Sequence, residues 1–181
     1  HRILVRPSAV ALRGDRRPPM GVRGRSARSV GRQVMSAQAQ EHSGHRLLQF
    51  GTVLFLLGLL TGLLVPAAAN PRMALAAHLE GLMNGLFLLV LGLIWPRLNL
   101  SARTITIAFW LAIYGSLANW VATLLAAIWP AGSAMMPLAG QGHTGTEMQE
   151  AILKMLLISL SVVMITLCVL VLFGLRRLPS A

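Results

Sequence analysis

Hydrophobic residues gather into four long runs, at residues 46–65, 74–95, 104–129 and 150–175, and the charged positions fall near their ends or in the links between them. A helix rises about 1.5 Å per residue, so about 20 apolar residues cross the hydrocarbon core of a bilayer, and each run is long enough. Lipid cannot satisfy a bare N–H or C=O, so a spanning segment must be a helix or part of a closed barrel. Barrel strands are short and alternate in polarity, whereas these runs are continuously apolar. The expected fold class is therefore all-α: an integral membrane four-helix transmembrane bundle over residues 41–181, whose short links leave no room for a soluble domain.

Proline and asparagine punctuate the runs. Pro66 and Asn70-Pro71 close the first, Trp95-Pro96 the second and Pro130 the third, because proline cannot continue a helix and restricts the residue before it. The longest link, 131–146, is rich in Gly, Ala and Pro and predicts a re-entrant or lid-like loop at the membrane surface. Trp95 and Trp129, each beside a proline, fit an interfacial aromatic belt.

A net charge of +11 would suggest a nucleic-acid partner, but the charge is unevenly placed. Nine of the 16 basic residues lie between Arg2 and Arg32, in a tract with little aromatic content, no apolar periodicity and no acid except Asp15. Residues 1–40 are therefore expected to be a disordered Arg-rich extension. The chain starts at His1, and Met35-Ser36 would be a natural start ahead of the first span, so the extension reads as a misannotated start. Binding of anionic lipid or nucleic acid is the alternative for that tract; no nucleic acid is expected as a partner of the body, which touches membrane lipid. No compact apolar core with a cleavage site precedes residue 46, which argues against a cleaved leader. Around the spans, Arg46, Arg97, Arg103, Arg176 and Arg177 lie on one side and Arg72 and Lys154 on the other, which predicts both termini in the cytoplasm. Cys168 is the single cysteine and lies mid-helix, so it can form no internal disulfide.

Polar residues inside a bilayer are costly, so each is a candidate for function. The second run holds His78, Glu80 and Asn84, with Gly81, Gly85 and Gly92. At about 100° per residue, His78, Gly85 and Gly92 align and Asn84 lies to one side, forming a polar face over small residues. Glycine there admits either a neighbouring helix or a flat ligand. Glu80, well round from His78, reads as an interfacial or capping acid. The third run holds Tyr114, Ser116, Asn119 and Thr123, of which the last three share a stripe; Asn119 can serve simply to join helices. His78 can be a hydrogen-bonded histidine or an iron ligand. One histidine suits haem better than zinc, which wants three or four ligands.

The segments Ala77-His78-Leu79-Glu80-Gly81-Leu82-Met83-Asn84-Gly85, Trp110-Leu111-Ala112-Ile113-Tyr114-Gly115 and Ala118-Asn119-Trp120 resemble the hydroxylaminobenzene mutase family, as do Asn70-Pro71-Arg72-Met73 and Met135-Met136-Pro137. The likeness runs from about residue 47 to 175 and leaves residues 1–40 without a counterpart. It implies a bacterial inner-membrane isomerase of nitroarene degradation that turns hydroxylaminobenzene into 2-aminophenol, with no external oxidant or reductant. A more distant similarity to styrene oxide isomerase implies a haem b protein and a homo-oligomer, a trimer in that family, with His78 on the iron and Asn84 over the haem. Where that isomerase has an aspartate before a glycine on the third helix, this chain has Tyr114.

The resemblance suggests catalytic roles for Glu80, Asn84, Tyr114 and Asn119, a haem site at His78 over Gly81 and Gly85, and contacts from Trp110, Trp120 and Thr123 to a small aromatic hydroxylamine. Iron held by His78 would bind the leaving oxygen; in a metal-free alternative Glu80 or His78 donates the proton. The competing classes are an epoxide isomerase and a non-enzymatic membrane subunit or transporter protomer, although no repeat relates helices 1–2 to 3–4.

Overall fold

The computed structural model describes residues 20–176, with side chains at Met35 and from residue 37 onward. The described chain contains five helices and no strand: α1 (Met20–Leu64), α2 (Pro71–Ile94), α3 (Ala102–Ile128), the short α4 (Pro137–Gly140) and α5 (Glu147–Arg176). Four segments are long and apolar enough to cross a membrane: Ala37–Ala67, Pro71–Arg97, Ala102–Ile128 and Glu147–Arg176. The four expected spans are all present; the second, third and fourth begin two or three residues before the expected starts, and the first begins nine residues earlier, at Ala37.

The described residues divide at Met35 into two units, and the one that begins at Ser36 is the membrane bundle. Helix is assigned back to Met20, within a tract expected to be disordered. The reason is local: no proline occurs between Pro19 and Pro66, and the intervening Ala, Arg, Gln and Met all favour helix. The expectation for residues 1–19 lies outside the described residues.

Side chains fix the helix starts. Asn70 accepts a hydrogen bond from the Met73 N–H, and Pro71, with its φ already helical, takes the first position of α2. Ser101 does the same for Thr104 at the start of α3. At α5, Thr146 and Gln149 form a reciprocal box: the Thr146 N–H donates to Gln149 Oε1 at 2.8 Å and the Gln149 N–H to Thr146 Oγ1 at 3.4 Å. Glu147 and Glu150 sit in the first turn of α5 and Arg176 in its last, both favourable to the helix dipole.

The 131–146 link is no free lid. Asn70, fully buried, donates from Nδ2 to the carbonyls of Ala139 and Gly140, while Glu150 Oε1 accepts from the N–H groups of Gly132 and Gly145. Gly132 and Gly142, at φ +91° and +82°, supply the left-handed turns that let this short path fold on itself. The link is thus pinned to both α2 and α5.

Two apolar clusters fill the bundle. One joins Leu47, Leu54, Leu88, Leu91, Trp95 and Phe109 with Leu167; the other joins Met73 and Ala74 to Ala122, Ala126, Ala127 and Leu153. Trp95 is completely buried and meets Phe109 edge-on at 6.5 Å, so it belongs to the core and not to the aromatic belt. Packing wins here because the 3₁₀ turn Trp95–Arg97 folds the ring inward as α2 ends. Along α2 and α3, the polar residues 80–84 and 116–123 fall between the two apolar clusters.

Candidate functional site

Glu80 is the centre of that polar band. Its Oε2 accepts from Asn84 Nδ2 at 3.0 Å and from Asn119 Nδ2 at 2.6 Å; Asn84 Nδ2 also donates to the Glu80 carbonyl at 2.8 Å. Two amides from two helices therefore hold one carboxylate oxygen, and Oε1 receives no hydrogen bond from any described residue. Asn84 is buried, Glu80 and Asn119 half-buried. Glu80 is neither a cap nor an interfacial acid, since it lies well inside α2 and turns toward α3. The signal for this was present in the spacing: Glu80 and Asn84 are i and i+4, neighbours on one helical face.

His78 turns the other way. Its Nδ1 lies 2.8 Å from the Gly58 carbonyl oxygen on α1. A carbonyl can only accept, so Nδ1 carries the hydrogen, and in the neutral ring the lone pair is left on Nε2. No described hydrogen bond joins His78 to Asn84 or Asn119.

The glycines of α2 face α1 as well. A Cβ on Gly81 would come within 2.5 Å of Gly58 Cα, and one on Gly85 within 2.6 Å of the Phe55 N; a Cβ on Gly62 would lie 2.7 Å from His78 Nδ1. The expected floor for a flat cofactor is thus filled by a helix. Gly58 and Gly62 make a small-xxx-small pair opposite Gly81 and His78, and Gly51 lies opposite Gly85, the arrangement by which helices in lipid approach closely. That pattern on α1 was readable and went unread.

The remaining predicted residues divide. Trp120, half-buried, donates from Nε1 to Thr61 Oγ1 at 3.3 Å, tying α3 to α1. Thr123 turns its hydroxyl back onto the carbonyls of Asn119 and Trp120. Tyr114 and Trp110 lie on the outer face of α3, 43 % and 63 % exposed. Trp110 packs edge-on against Phe109 at 5.4 Å. Ser159 Oγ donates to the Leu156 carbonyl, so the 2.7 Å contact between Tyr114 and Ser159 is donated by the tyrosine. The pair borders a cavity of about 430 Å³ between α3 and α5, away from Glu80. The structure thus brings Glu80, Asn84 and Asn119 together, and leaves His78, Tyr114 and Trp110 outside their hydrogen-bonded cluster.

Among the described residues no cluster of three or more His, Cys, Asp or Glu could hold a metal ion. A single protein ligand would be compatible with what is present: His78 has its Nδ1–H fixed by a backbone carbonyl, a common second partner of a metal-binding imidazole, and its Nε2 makes no hydrogen bond to a described residue. Gly81 and Gly85 do not suit a macrocycle.

Residues 43–176 match the family model of styrene oxide isomerase. The chain belongs to the styrene oxide isomerase family. It is 57 % identical over 135 residues to hydroxylaminobenzene mutase HabB of Ectopseudomonas oleovorans, covering 75 % of this chain and 82 % of that protein. Hydroxylaminobenzene mutase HabA of the same organism is 46 % identical over 131 residues, covering 72 % of this chain and 97 % of that one. No solved structure matches. The matched region contains all of the Glu80 cluster and almost all of the four spans, and both the family and these relatives carry isomerase names. The chain is a multi-pass membrane isomerase.

Proposed function

We propose that the protein isomerises hydroxylaminobenzene-type arylhydroxylamines to 2-aminophenols, moving the hydroxyl from nitrogen to the ortho ring carbon. The observation that carries this reading is the Glu80 carboxyl, whose Oε2 takes both amide donors and whose Oε1 takes none. When the carboxyl is protonated, its proton sits on Oε1, because Oε2 already faces two N–H groups.

Delivered to the hydroxylamine oxygen, that proton turns a poor leaving group into water as the N–O bond breaks heterolytically, leaving positive charge on the nitrogen and on the ortho and para carbons. That water then adds at the ortho carbon and gives one proton back to Oε1, and the ring proton lost on rearomatisation passes to the nitrogen, which becomes the amine. No electrons enter or leave, so the net change is an isomerisation. Asn84 and Asn119 keep the carboxylate oriented throughout, and the apolar clusters on either side limit the water that could trap the cation at the wrong carbon. An apolar arene dissolved in lipid reaches such a site without leaving the membrane.

His78, through Nε2, is the residue that would hold a haem b. Such a group would supply Lewis acidity toward the substrate oxygen. The positions of Arg46, Arg97, Arg103 and Arg176 against Arg72 and Lys154 favour both termini on the cytoplasmic side of a bacterial inner membrane, and the exposed apolar faces favour a homo-oligomer within it. Because the family model is that of styrene oxide isomerase, epoxide isomerisation is the second reading, and the same proton donor would serve it.

Membranes containing the protein should convert hydroxylaminobenzene to 2-aminophenol, and those with Glu80→Gln should not. Conversion of styrene oxide alone would select the second reading; no turnover of either substrate by well-folded protein would refute both. An absorption spectrum of purified protein tests the haem assignment.

A further inference from the structure

A cavity of about 230 Å³ opens between α2 and α5, lined by apolar side chains and the Cys168 thiol. From α2 it takes Phe87, Leu91 and Ile94, and from α5 Cys168, Leu172 and Leu175. The two sets have the same spacing, so each helix presents one face along a shared groove. The end near Leu175 is shut: the Asn99 N–H donates to the Gly174 carbonyl at 3.1 Å, and a Cβ on Gly174 would lie 3.0 Å from Leu100 Cγ. At the back, Leu91 is buried with Leu167 in the core. Val90 and Leu172, which also line the cavity, are 51 % and 49 % exposed, so the groove opens sideways, toward lipid.

Helical periodicity ties this groove to the reacting carboxyl. Glu80 precedes Phe87 by seven residues, Leu91 by eleven and Ile94 by fourteen, intervals that return to one face of a helix. Two turns, about 10 Å, separate Glu80 from the near end of the cavity. The space suits a single ring. An apolar cavity of about 150 Å³ takes up benzene, so about 230 Å³ leaves room for a ring and a short substituent. A helix, about 10–12 Å across with its side chains, is too thick to enter. A lipid chain running along α5 from the headgroups nearest Leu175 meets the closed end at Gly174.

We propose that the α2–α5 groove is the docking site for the aromatic ring of the substrate, which enters it from lipid and passes along α2 to Glu80, and that Phe87 and Cys168 set the size of ring admitted. The occupant is one monocyclic arene, held by contact alone. The groove offers it no charge, so selection there is by shape, and the N–O group is left for Glu80, Asn84 and Asn119 to bind. A change of one methylene in an apolar pocket is worth about 10–200-fold in specificity, enough for Phe87 to separate one ring from two. The proposal rests on the Glu80 reading for the destination of the arene, not for its binding.

Cys168 is the single cysteine of the chain, so its alkylation reports on the groove. The full chain in detergent is treated with N-ethylmaleimide, with and without aniline, a ring of the right size that cannot rearrange, and intact mass is followed. Aniline at about ten times its Kd should slow alkylation about tenfold. No protection by aniline, or protection by added phospholipid alone, would overturn the proposal. In steady-state kinetics Cys168→Trp fills the groove and should raise KM about tenfold with kcat within about twofold. Val169→Trp, on the exposed surface beside it, should change neither. Phe87→Ala should raise kcat/KM for hydroxylaminonaphthalene relative to hydroxylaminobenzene about tenfold. An unchanged KM in Cys168→Trp would overturn the proposal, and a loss of oligomer with it would assign the groove to a contact between copies. Should Cys168→Trp fail to fold, aniline protection and Phe87→Ala decide. If the wild type shows no mutase activity the Glu80 reading fails, while aniline protection still reports on the groove.

Discussion

Helix α2 presents two seams built on opposite principles. Toward α1 it is stripped of side chains, with Gly81 and Gly85 set against Gly58 and Phe55 at distances no Cβ tolerates. Toward α3 it extends a carboxylate that is bound both by an amide of its own helix and by one from α3. In lipid the hydrophobic effect does not draw helices together, so close packing and polar bonds must do so, and this protein assigns one to each face. The difference teaches that holding and reacting are separated: the glycine seam sets how near the helices lie, and the polar seam keeps one carboxylate oxygen tied while the other is left unengaged.

If the separation is real, damage to the two seams should differ in kind. The largest effect is expected from Gly81→Leu, which drives a branched side chain into the Gly58 backbone. Size-exclusion profiles in detergent should show no monodisperse protein, and a normal, stable Gly81→Leu protein would mean that the α1–α2 seam is not closed.

Glu80→Gln comes next and should act only on chemistry. Removal of a general acid costs about 10²–10⁴-fold in rate, while helical circular dichroism and the melting profile stay close to wild type. Retained turnover would remove Glu80 from the reaction.

Asn119→Ala leaves Oε2 with a single amide donor. A hydrogen bond to a charged group is worth about 1.5–3 kcal/mol, so turnover should fall about 10- to 100-fold, with steady-state kinetics as the check. A fall as deep as that of Glu80→Gln would show that Asn119 touches substrate directly.

His78→Ala acts on the α1 seam, where the ring meets Gly58 and Gly62. Loss of its bond to Gly58 should lower stability by about 1 kcal/mol in a denaturant titration, and any haem absorbance should vanish; an unchanged haem spectrum would place the iron ligand elsewhere. The smallest effect is expected from Tyr114→Phe, which removes an interhelical bond worth about 0.6 kcal/mol and should leave turnover within about twofold. A large loss of turnover would bring the outer face of α3 into the active site.

Four helices, their approximate ends and the stripe of Ser116, Asn119 and Thr123 were readable along the chain, because a bilayer forces each apolar run to satisfy its own backbone and helical periodicity alone ranks positions by face. The caps at Asn70 and Ser101 were also local and in principle visible. Which neighbour covers each face was decided only by tertiary packing. Glycine on α2 was compatible with a helix or a flat ligand, and α1 took the space; Trp95 beside a proline could have lined the interface, and a turn folded it into the core. Glu80 looked like an end-of-helix acid until Asn119, 39 residues on, arrived to bind it. Periodicity gives the direction of a side chain about its own axis, but its partner depends on the register and spacing between helices, which no single segment contains.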